Sequence, residues 1–386
     1  MFFCYKDFNG YPVSGKENVQ MPPLTLMIKP ASGLCDLRCE YCFYADVSAH
    51  REIRSYGVMS VDTLETLVRR AFLYAEGQLS FMFQGGEPTV AGKAFFRHFL
   101  KLEAEYKDRL VRVLNAIQTN GYALDEEWCE IFKEGSFLVG VSLDGTREIH
   151  DTYRKTADKS PTYDRIVKNI RLLEKAGVDY NILCVVNERI AARPKEVFHA
   201  LAPHKWLQFI ACIDPFGEAE KPWSLKPETY GNFLIETFDL YEQAYRSGSP
   251  VSIRSFDNWI RMLAGYPPES CGMSGRCGVY YLVEADGSVY PCDFYVLDKW
   301  CMGNVNELPF RKLEKSPVAD EFRKESIPLP ENCKDCKWLF LCRGGCKRDR
   351  EPFINGLPSE NRFCKSFRMF FDARYDKLLE LSKEVR

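Results

Sequence analysis

Residues 35–42 have the sequence CDLRCEYC, and this stretch decides how the rest of the 386-residue chain is interpreted. The three cysteines have the spacing C-x3-C-x2-C and are followed by Phe43 and Tyr44. Three thiolates on so short a loop can hold one corner of an iron–sulfur cube, whereas a fully ligated 4Fe–4S cluster needs four. The next cysteine is Cys129, so the loop predicts a cluster with one iron open to a small molecule.

A zinc knuckle, a disulfide pair and buried structural thiols are the alternative explanations of this loop. Zinc sites usually have four ligands, often two C-x2-C pairs or one such pair with two histidines. No histidine lies between Cys35 and Cys42, and the nearest one is His50. A short motif is a hypothesis that its context must support, and the surrounding sequence favours the cluster.

The composition excludes several classes of protein. Lys and Arg number 52 against 54 Asp and Glu, so no charge excess indicates binding to nucleic acid or to a membrane surface. No apolar run approaches the length of a membrane span, and the first residues lack the pattern of a signal peptide. Sixteen cysteines in such a chain indicate metal-bound thiolates in a reducing cytoplasm rather than disulfides.

Residues 1–20 differ from the rest of the chain, because they are polar and glycine-containing while the patterned sequence starts at Pro23. They are predicted to be an N-terminal extension, with Met21 as an alternative start of the protein.

From residue 24 to about residue 210, short apolar runs alternate with helical patterns. Ser60 is a typical helix N-cap, and further helices are centred near Trp128, Val167 and Val197. The predicted strands are Leu24–Lys29, Leu79–Phe83, Val111–Ile117, Phe137–Leu143, Val178–Val186 and Trp206–Ile210. Successive strand–helix units imply a parallel sheet with right-handed crossovers. Since a closed barrel has eight units, the predicted fold class is α/β with a partial (β/α)6 barrel.

Polar residues and glycines occur after consecutive strands of this predicted barrel. They are the cysteine loop after the first strand, Gln84-Gly85-Gly86-Glu87-Pro88 after the second, Gln118-Thr119-Asn120-Gly121 after the third, Ser142 and Asp144-Gly145 after the fourth, and Asn187 after the fifth. The carboxyl ends of barrel strands form the active-site face, so these segments are expected to meet at one mouth.

The cysteine loop together with the Gly-Gly-Glu sequence after strand two resembles the radical SAM enzymes. In that family the open iron chelates S-adenosylmethionine, and an electron from the cluster splits it to a 5′-deoxyadenosyl radical. The resemblance implies that Glu87 and the backbone of Gly85 and Gly86 hold the ammonium of S-adenosylmethionine, a plausible partner for a carboxylate.

The same resemblance implies further contacts with S-adenosylmethionine. Gln84, Ser142 and Arg154 are expected at its sugar and carboxylate, with Arg154 as the charged partner. Tyr44, Gln118 and Asn120 are expected to face the same cavity. For each of these residues the alternative is an ordinary turn or surface position.

The C-terminal third contains a second group of cysteines. Its pattern resembles the SPASM domain that comes after the barrel in radical SAM enzymes that modify proteins. The resemblance implies two fully ligated clusters, so three 4Fe–4S clusters in all. One ligand set would be Cys271, Cys277, Cys292 and Cys346, and the other Cys333, Cys336, Cys342 and Cys364.

A zinc ribbon is the alternative for the second group, because thiolates suit zinc equally well. In either case this region lacks a large apolar core and is expected to need metal to fold. Cys129, Cys184 and Cys212 are predicted to be buried small hydrophobic residues, and Cys4 and Cys301 have no assignment. The predicted organisation is an extension at 1–20, the barrel at 21–235, a helical linker at 236–265, and the SPASM domain with a C-terminal helix at 266–386.

Residues 21 to about 380 resemble the anaerobic sulfatase-maturating enzymes of clostridial type. The stretches that carry this resemblance are IKPAS at 28–32, FQGGEPT at 83–89, QTNG at 118–121, NILCVV at 181–186 and VYPCDFYVLDKW at 289–300. The resemblance implies oxidation of a cysteine or serine in an unfolded sulfatase C/S-x-P/A-x-R segment to Cα-formylglycine. It also implies a low-potential electron donor of the flavodoxin or ferredoxin type, while a monomer is assumed only by default.

Asp293 directly follows Cys292 and matches the proposed base of that family, which removes the thiol or hydroxyl proton of the target. The alternative is an aspartate that only supports the cluster loop through backbone hydrogen bonds. Two other functions stay open at this stage. One is a SPASM enzyme that forms thioether or carbon–carbon crosslinks in peptides, and the other is an electron-transfer protein without chemistry of its own.

Overall fold

The computed structural model describes residues 23–107, 111–217 and 220–385. The predicted extension, the alternative start at Met21 and the unassigned Cys4 lie outside these residues. The strands are β1 Leu24–Ile28, β2 Gln78–Phe83, β3 Arg112–Thr119, β4 Phe137–Ser142, β5 Tyr180–Val186, β6 Trp206–Ala211, β7 Ser252–Ile253, β8 Tyr281–Val283, β9 Ser288–Tyr290, β10 Gly303–Asn304, β11 Phe353–Ile354 and β12 Leu357–Pro358.

The helices are α1 Phe43–Ala49, α2 Val61–Tyr74, α3 Lys93–Tyr106, α4 Glu126–Glu134, α5 Arg147–Tyr153, α6 Tyr163–Ala176, α7 Glu188–Ala191, α8 Pro194–Leu201, α9 Pro227–Arg246, α10 Arg254–Leu263, α11 Phe310–Glu314, α12 Pro317–Ser326, α13 Leu339–Cys342 and α14 Cys364–Ser382. Within the described residues, no helix combines the length and the apolar character that crossing a membrane requires.

The predicted partial barrel is confirmed. Strands β1 to β6 pair in sequence order and in parallel, with the helices that connect them packed outside. Helix α2 begins where the sequence predicts, because the Ser60 hydroxyl accepts a hydrogen bond from the Thr63 N–H at 3.1 Å. Buried phenylalanines from the strands and from α3 fill the layer between sheet and helices, among them Phe81, Phe83 and Phe99.

The sheet continues beyond the barrel, which the sequence pattern does not predict. Strand β8 pairs in parallel with β1, and β9 and β10 extend it antiparallel, so one ten-stranded sheet has the order β10-β9-β8-β1-β2-β3-β4-β5-β6-β7. A buried ion pair reinforces this junction: Lys29 Nζ lies 2.8 Å and Arg51 Nη1 2.7 Å from Glu284 Oε1. The loop after β9 is therefore placed beside the ends of β1 and β2.

The C-terminal region has a small apolar core of its own, in addition to the large core of the barrel. Its buried members are Val47, Leu282, Tyr290, Tyr295, Val296, Trp300 and Phe322. Val47 belongs to α1, so this second core also packs against the helix that comes after the cysteine loop. The region is therefore better supplied with buried apolar surface than its sequence indicates.

The domain limit predicted at residue 235 falls inside α9, which runs without a break from Pro227 to Arg246. Helix α14 packs along α9, and Arg374 makes a two-pronged contact with Asp239 at 2.7 and 2.6 Å. The last helix of the chain is thus attached to the barrel side of the molecule, and the other predicted domain limits stay predictions.

Candidate active site

A cavity of about 1550 Å³ runs through the barrel and opens toward the C-terminal region. Its walls contain residues from both cysteine groups and from the ends of the parallel strands. The predicted site residues that line it are Cys35, Cys39, Cys42, Tyr44, Gln84, Gly85, Gly86, Glu87, Gln118, Asn120, Ser142, Arg154, Cys271, Cys277, Cys292, Asp293 and Cys346. The structure thus brings the barrel residues together with one of the two C-terminal cysteine sets. Cys333, Cys336, Cys342 and Cys364 lie away from this cavity's lining.

The cysteine loop is held between β1 and α1. The Leu37 N–H donates to Cys35 Sγ at 3.4 Å, and Asn120 Nδ2 approaches the same sulfur at 3.7 Å. Burial raises the pKa of Cys35 to about 12 and that of Cys39 to about 11. A cation must therefore stabilise these groups as thiolates, the form in which cysteine ligates metal. The donor set and its open side toward the cavity fit the predicted three-cysteine cluster.

Gly85 and Gly86 are needed for the close approach of their backbone to neighbouring segments. Their φ angles are +88° and +56°, a region that disfavours other residues. A Cβ at Gly85 would lie 2.5 Å from the side chain of Lys29, and one at Gly86 would lie 2.4 Å from the carbonyl oxygen of Leu34. The two glycines let this loop pack closely against Lys29 and residues 32–34, which follow β1, and both line the cavity.

The Glu87 carboxylate has partners that the sequence does not reveal. Oε1 accepts hydrogen bonds from the Thr89 N–H at 3.0 Å and from the Thr89 and Thr119 hydroxyls, each at 2.8 Å. Oε2 accepts from the Asn120 N–H at 2.7 Å. Burial raises the pKa of Glu87 to about 7 in spite of these donors. The carboxylate fastens the loop after β2 to the end of β3, and its contact with the ammonium of S-adenosylmethionine stays a prediction.

Arg154 is a buried cation beside the cysteine loop. Its Nε donates to Asp144 Oδ2 at 2.7 Å, and its Nη1 lies 4.0 Å from Cys39 Sγ. Asp144 also accepts hydrogen bonds from the Tyr41 hydroxyl and, at 3.0 Å, from the Val185 N–H. Although burial favours the neutral acid, the charge of Arg154 lowers the pKa of Asp144. Asp144 therefore fixes the direction of the guanidinium, which lines the cavity.

Tyr41 was not predicted to be a site residue, and Asp144 was named only as a polar residue after the fourth strand. Both had a visible signal, because Tyr41 lies inside the cysteine loop and Asp144 comes directly after a barrel strand. Among the predicted cavity residues, Gln118 Nε2 donates to the Ser142 hydroxyl at 3.2 Å. This bond connects the carboxyl ends of the neighbouring strands β3 and β4.

Asp293 also lines the cavity and contacts two residues of the barrel. Its Oδ2 accepts a hydrogen bond from Gln84 Nε2 at 3.1 Å and lies 3.5 Å from the Tyr44 hydroxyl. Its Oδ1 lies 3.5 Å from Cys292 Sγ. Burial raises the pKa of Asp293. Each of these four residues was singled out from the sequence, but the contact between them was not.

The C-terminal cysteines form two separate groups in the structure. Besides burial, Cys346 and Cys271 each raise the pKa of Cys292, and Cys271 and Cys277 act likewise on the pKa of Cys346. In the second group, Cys342 and Cys333 raise the pKa of Cys364, and Cys333 and Cys336 raise the pKa of Cys342. Two sets of four thiols, each connected by such mutual effects, suit two fully ligated clusters. They contain the same residues as the two predicted ligand sets, and the ligand assignment itself stays a prediction.

The other cysteines have different surroundings. Cys129, Cys184 and Cys212 are buried in the barrel core at 3%, 1% and 2% exposure, in keeping with the role of small hydrophobic residues. Cys301 is half-buried, and its Sγ contacts the Gly303 carbonyl at 3.7 Å.

Two family models match the chain. The Radical SAM superfamily model matches residues 30–194, and the SPASM model, described as an iron–sulfur cluster-binding domain, matches residues 274–337. In structure, the chain is similar to "Native anSMEcpe with bound AdoMet and Cp18Cys peptide", with a TM-score of 0.90, 40% identity and coverage of 95% of this chain and 100% of that one. SuiB from Streptococcus suis has a TM-score of 0.63 at 18% identity and shows the common fold alone.

Curated relatives match over nearly the whole chain. The cysteine-type anaerobic sulfatase-maturating enzyme of Clostridium novyi is 45% identical over 370 residues, which are 95% of this chain and 99% of that protein. The cysteine-type enzyme of Clostridium perfringens is 40% identical over 95% of this chain and 100% of its own length. The serine-type enzyme of Bacteroides thetaiotaomicron is 31% identical over 90% and 89%. Similarity of this extent, spanning both cysteine-rich regions, shows that the chain belongs to the anaerobic sulfatase-maturating enzymes, radical SAM proteins with a SPASM domain.

Proposed function

We propose that this protein oxidises a cysteine in an unfolded sulfatase segment of the type C-x-P/A-x-R to Cα-formylglycine. The observation that carries the proposal is the position of Asp293, which lines the same cavity as the cysteine loop and is hydrogen-bonded to Gln84 of the barrel. The preference for cysteine is supported by the clostridial relatives, which are named cysteine-type and are more similar to this chain than the serine-type enzyme.

The residues present fit the cofactors of this family. Cys35, Cys39 and Cys42 would hold the cluster that binds S-adenosylmethionine, and the two C-terminal sets would hold one cluster each. When bound, S-adenosylmethionine and its cluster supply the 5′-deoxyadenosyl radical that takes a hydrogen from the target Cβ. The buried guanidinium of Arg154, held by Asp144, supplies a fixed positive charge for the carboxylate of S-adenosylmethionine.

Asp293 is proposed as the base that takes the proton of the target thiol. Gln84 donates to Oδ2 and Tyr44 lies beside it, so these residues fix the orientation of the carboxylate. Once Cys292 is a thiolate ligand, it has no proton to share with Oδ1, and that oxygen becomes available to the substrate. Desolvation raises the pKa of this carboxylate, which makes it a stronger proton acceptor.

The partners are inferred from the proposed reaction. We infer that the first cluster receives its electron from a low-potential protein of the flavodoxin or ferredoxin type. Within the described part of the chain no cysteine forms a disulfide, in keeping with the proposed reducing, cytoplasmic location. The unfolded sulfatase segment is expected to enter the cavity, with the enzyme acting as a monomer.

The test is an anaerobic assay with iron- and sulfide-reconstituted protein, dithionite, S-adenosylmethionine and two peptides that differ only in cysteine or serine at the target position. Replacement of SH₂ by oxygen in the cysteine peptide, with 5′-deoxyadenosine formed, is the expected result. Conversion of only the serine peptide, by loss of two hydrogens, would overturn the cysteine preference. If 5′-deoxyadenosine appears and both peptides are unchanged, the substrate assignment fails.

A further inference from the structure

Lys347 is a buried cation next to a predicted cluster ligand. It directly follows Cys346, and its side chain is only 1% exposed. Its Nζ lies 4.2 Å from the ring centre of Phe322, 4.3 Å from that of Trp300 and 4.7 Å from that of Tyr295. These three rings form what we call the aromatic cage, in which the ring faces stabilise the ammonium in place of water.

The charge of Lys347 is only partly compensated. Its Nζ lies 2.8 Å from Glu325 Oε2, but the Glu325 side chain is 33% exposed and also interacts with Lys299 at 3.3 Å. Inside a protein a charge acts more strongly than in water, because little solvent lies between it and its neighbours. The field of the ammonium therefore reaches the cysteines beside it.

Lys347 lies beside the first C-terminal cysteine set. It lines the same cavity as Cys277 and Cys346. Cys277 and Cys292 pack against the small apolar core to which the three rings of the aromatic cage belong. Two carboxylates, Asp293 and Asp349, face the same set with the opposite sign. The second set has charges of both signs beside it, because Glu360 raises the pKa of Cys364 and Cys333, whereas Arg350 lowers that of Cys333 and Cys342. Lys347 adds a further buried positive charge beside the first set.

We propose that Lys347 and its aromatic cage raise the reduction potential of the cluster held by Cys271, Cys277, Cys292 and Cys346, so that this cluster accepts the electron released by the substrate. The inference rests on the proposed function. Reduction adds one negative charge to a cluster, and a fixed cation nearby with N–H donors to its sulfurs stabilises the reduced form.

The electron balance of the step is complete. Loss of the Cβ hydrogen to the 5′-deoxyadenosyl radical leaves a carbon radical on the substrate. The thiol proton would go to Asp293, and a carbon–sulfur double bond would form as the substrate gives up one electron, which the cluster held by Cys271, Cys277, Cys292 and Cys346 would take up. Hydrolysis of the thioaldehyde would give the aldehyde and hydrogen sulfide.

The experiment is an anaerobic redox titration of the reconstituted full-length protein, followed by electron paramagnetic resonance, for wild type, Lys347→Met and Lys347→Arg. We expect Lys347→Met to lower one cluster potential by about 59 mV, a tenfold loss in the equilibrium constant of one-electron reduction. Lys347→Arg keeps the charge and should keep the potential. Unchanged potentials in Lys347→Met at full iron content would overturn the inference.

Lys337 offers a matched control. It directly follows the predicted ligand Cys336 and lies 4.9 Å from the Trp338 ring centre, but its side chain is 72% exposed and pairs with Asp372 at 2.7 Å. Because solvent screens its charge, Lys337→Met should leave all potentials in place. A shift as large as that of Lys347→Met would show a general charge effect and overturn the role of the cage.

A second variant keeps the test decisive if Lys347→Met loses a cluster. Glu325→Gln removes the partner carboxylate and leaves the ammonium in its cage, so the same potential should rise, and no change would contradict the inference. The peptide assay is independent of these potentials. If the wild type leaves the peptides unchanged but the two variants show both shifts, the role of Lys347 stands and only the proposed substrate is lost.

Discussion

Asp293 and Gln84 are 209 residues apart in the chain, yet Gln84 Nε2 donates a hydrogen bond to Asp293 Oδ2 at 3.1 Å. This contact joins the loop after β2 to the loop after β9. It exists because β8 pairs with β1 and so brings the C-terminal region to the same end of the sheet. The proposed base and the cysteine loop therefore share one rigid framework.

Asp293→Asn should separate cofactor cleavage from product formation. The amide cannot take the thiol proton, so formylglycine should fall by about 100-fold or more, the usual contribution of a general base, while 5′-deoxyadenosine is still formed. The measurement is the ratio of product to 5′-deoxyadenosine. Asp298→Asn is the control, because Asp298 is an exposed carboxylate on the same segment. Normal product from Asp293→Asn would remove it from the role of base.

Gln84→Leu should weaken the orientation of that base without removing it. A hydrogen bond to a charged group contributes about 1.5–3 kcal/mol, so product formation should fall about tenfold or more. Peptide turnover and 5′-deoxyadenosine formation are followed together, and the ratio of the two should fall. The exposed Gln243 on α9 provides a matched substitution, Gln243→Leu, with no expected effect. Equal rates in both variants would contradict the role given to the contact.

Gly86→Ala should destabilise the protein by more than the strain of a positive φ angle at residue 86 alone. Gly57 has a similar positive φ of +73° but nothing within 4 Å of an added Cβ, whereas at Gly86 the Cβ would lie 2.4 Å from the Leu34 carbonyl oxygen. Gly57→Ala should therefore cost about 1–2 kcal/mol and Gly86→Ala clearly more. Thermal unfolding of the two variants measures the difference. Similar midpoints would show that the loop can move away from β1.

His150 makes the stability depend on pH. It is fully buried, accepts a hydrogen bond from the Asp144 N–H at 3.2 Å, and burial lowers its pKa to about 4. The unfolded chain, with a histidine pKa of about 6.5, binds more protons between these values. The contribution of His150 to stability should fall by about 3 kcal/mol as the pH drops from about 6.5 to about 4, whereas Glu87, whose pKa burial raises to about 7, acts in the opposite direction.

His150→Gln is the comparison for that prediction. Between about pH 7 and about pH 4.5 the free energy of unfolding should change in favour of the variant by about 3 kcal/mol relative to the wild type, since glutamine does not titrate. An equal change in both proteins would assign the pH dependence to other groups.

The barrel was predictable because its signals are local. Apolar runs such as 79–83 and 137–143, a cap at Ser60 and polar residues at strand ends fix strands, helices and the mouth of the barrel one segment at a time. The junction of β8 with β1 was not predictable, because a strand of three residues has little pattern and its pairing depends on the packing of the whole sheet.

The hydrogen-bond partners of the site residues were harder to predict than the site residues themselves. Glu87 was singled out, but four donors from its own loop and from the end of β3 engage its carboxylate. The Asp144–Arg154 pair was missed for the same reason. A sequence shows which side chains can donate and accept, while the choice among them depends on distances set by the assembled strands.

The pairing of β8 with β1 has a consequence for protein engineering. The C-terminal region is connected to the barrel by the pairing of β8 with β1 and by the buried Lys29–Glu284 ion pair. It is therefore not a structurally independent domain. A chimera that exchanges C-terminal regions between relatives has to carry a compatible first strand and its lysine with the graft. Crossover points close to β1 are therefore poor choices. A crossover within α9, at the predicted domain limit, would interrupt a continuous helix.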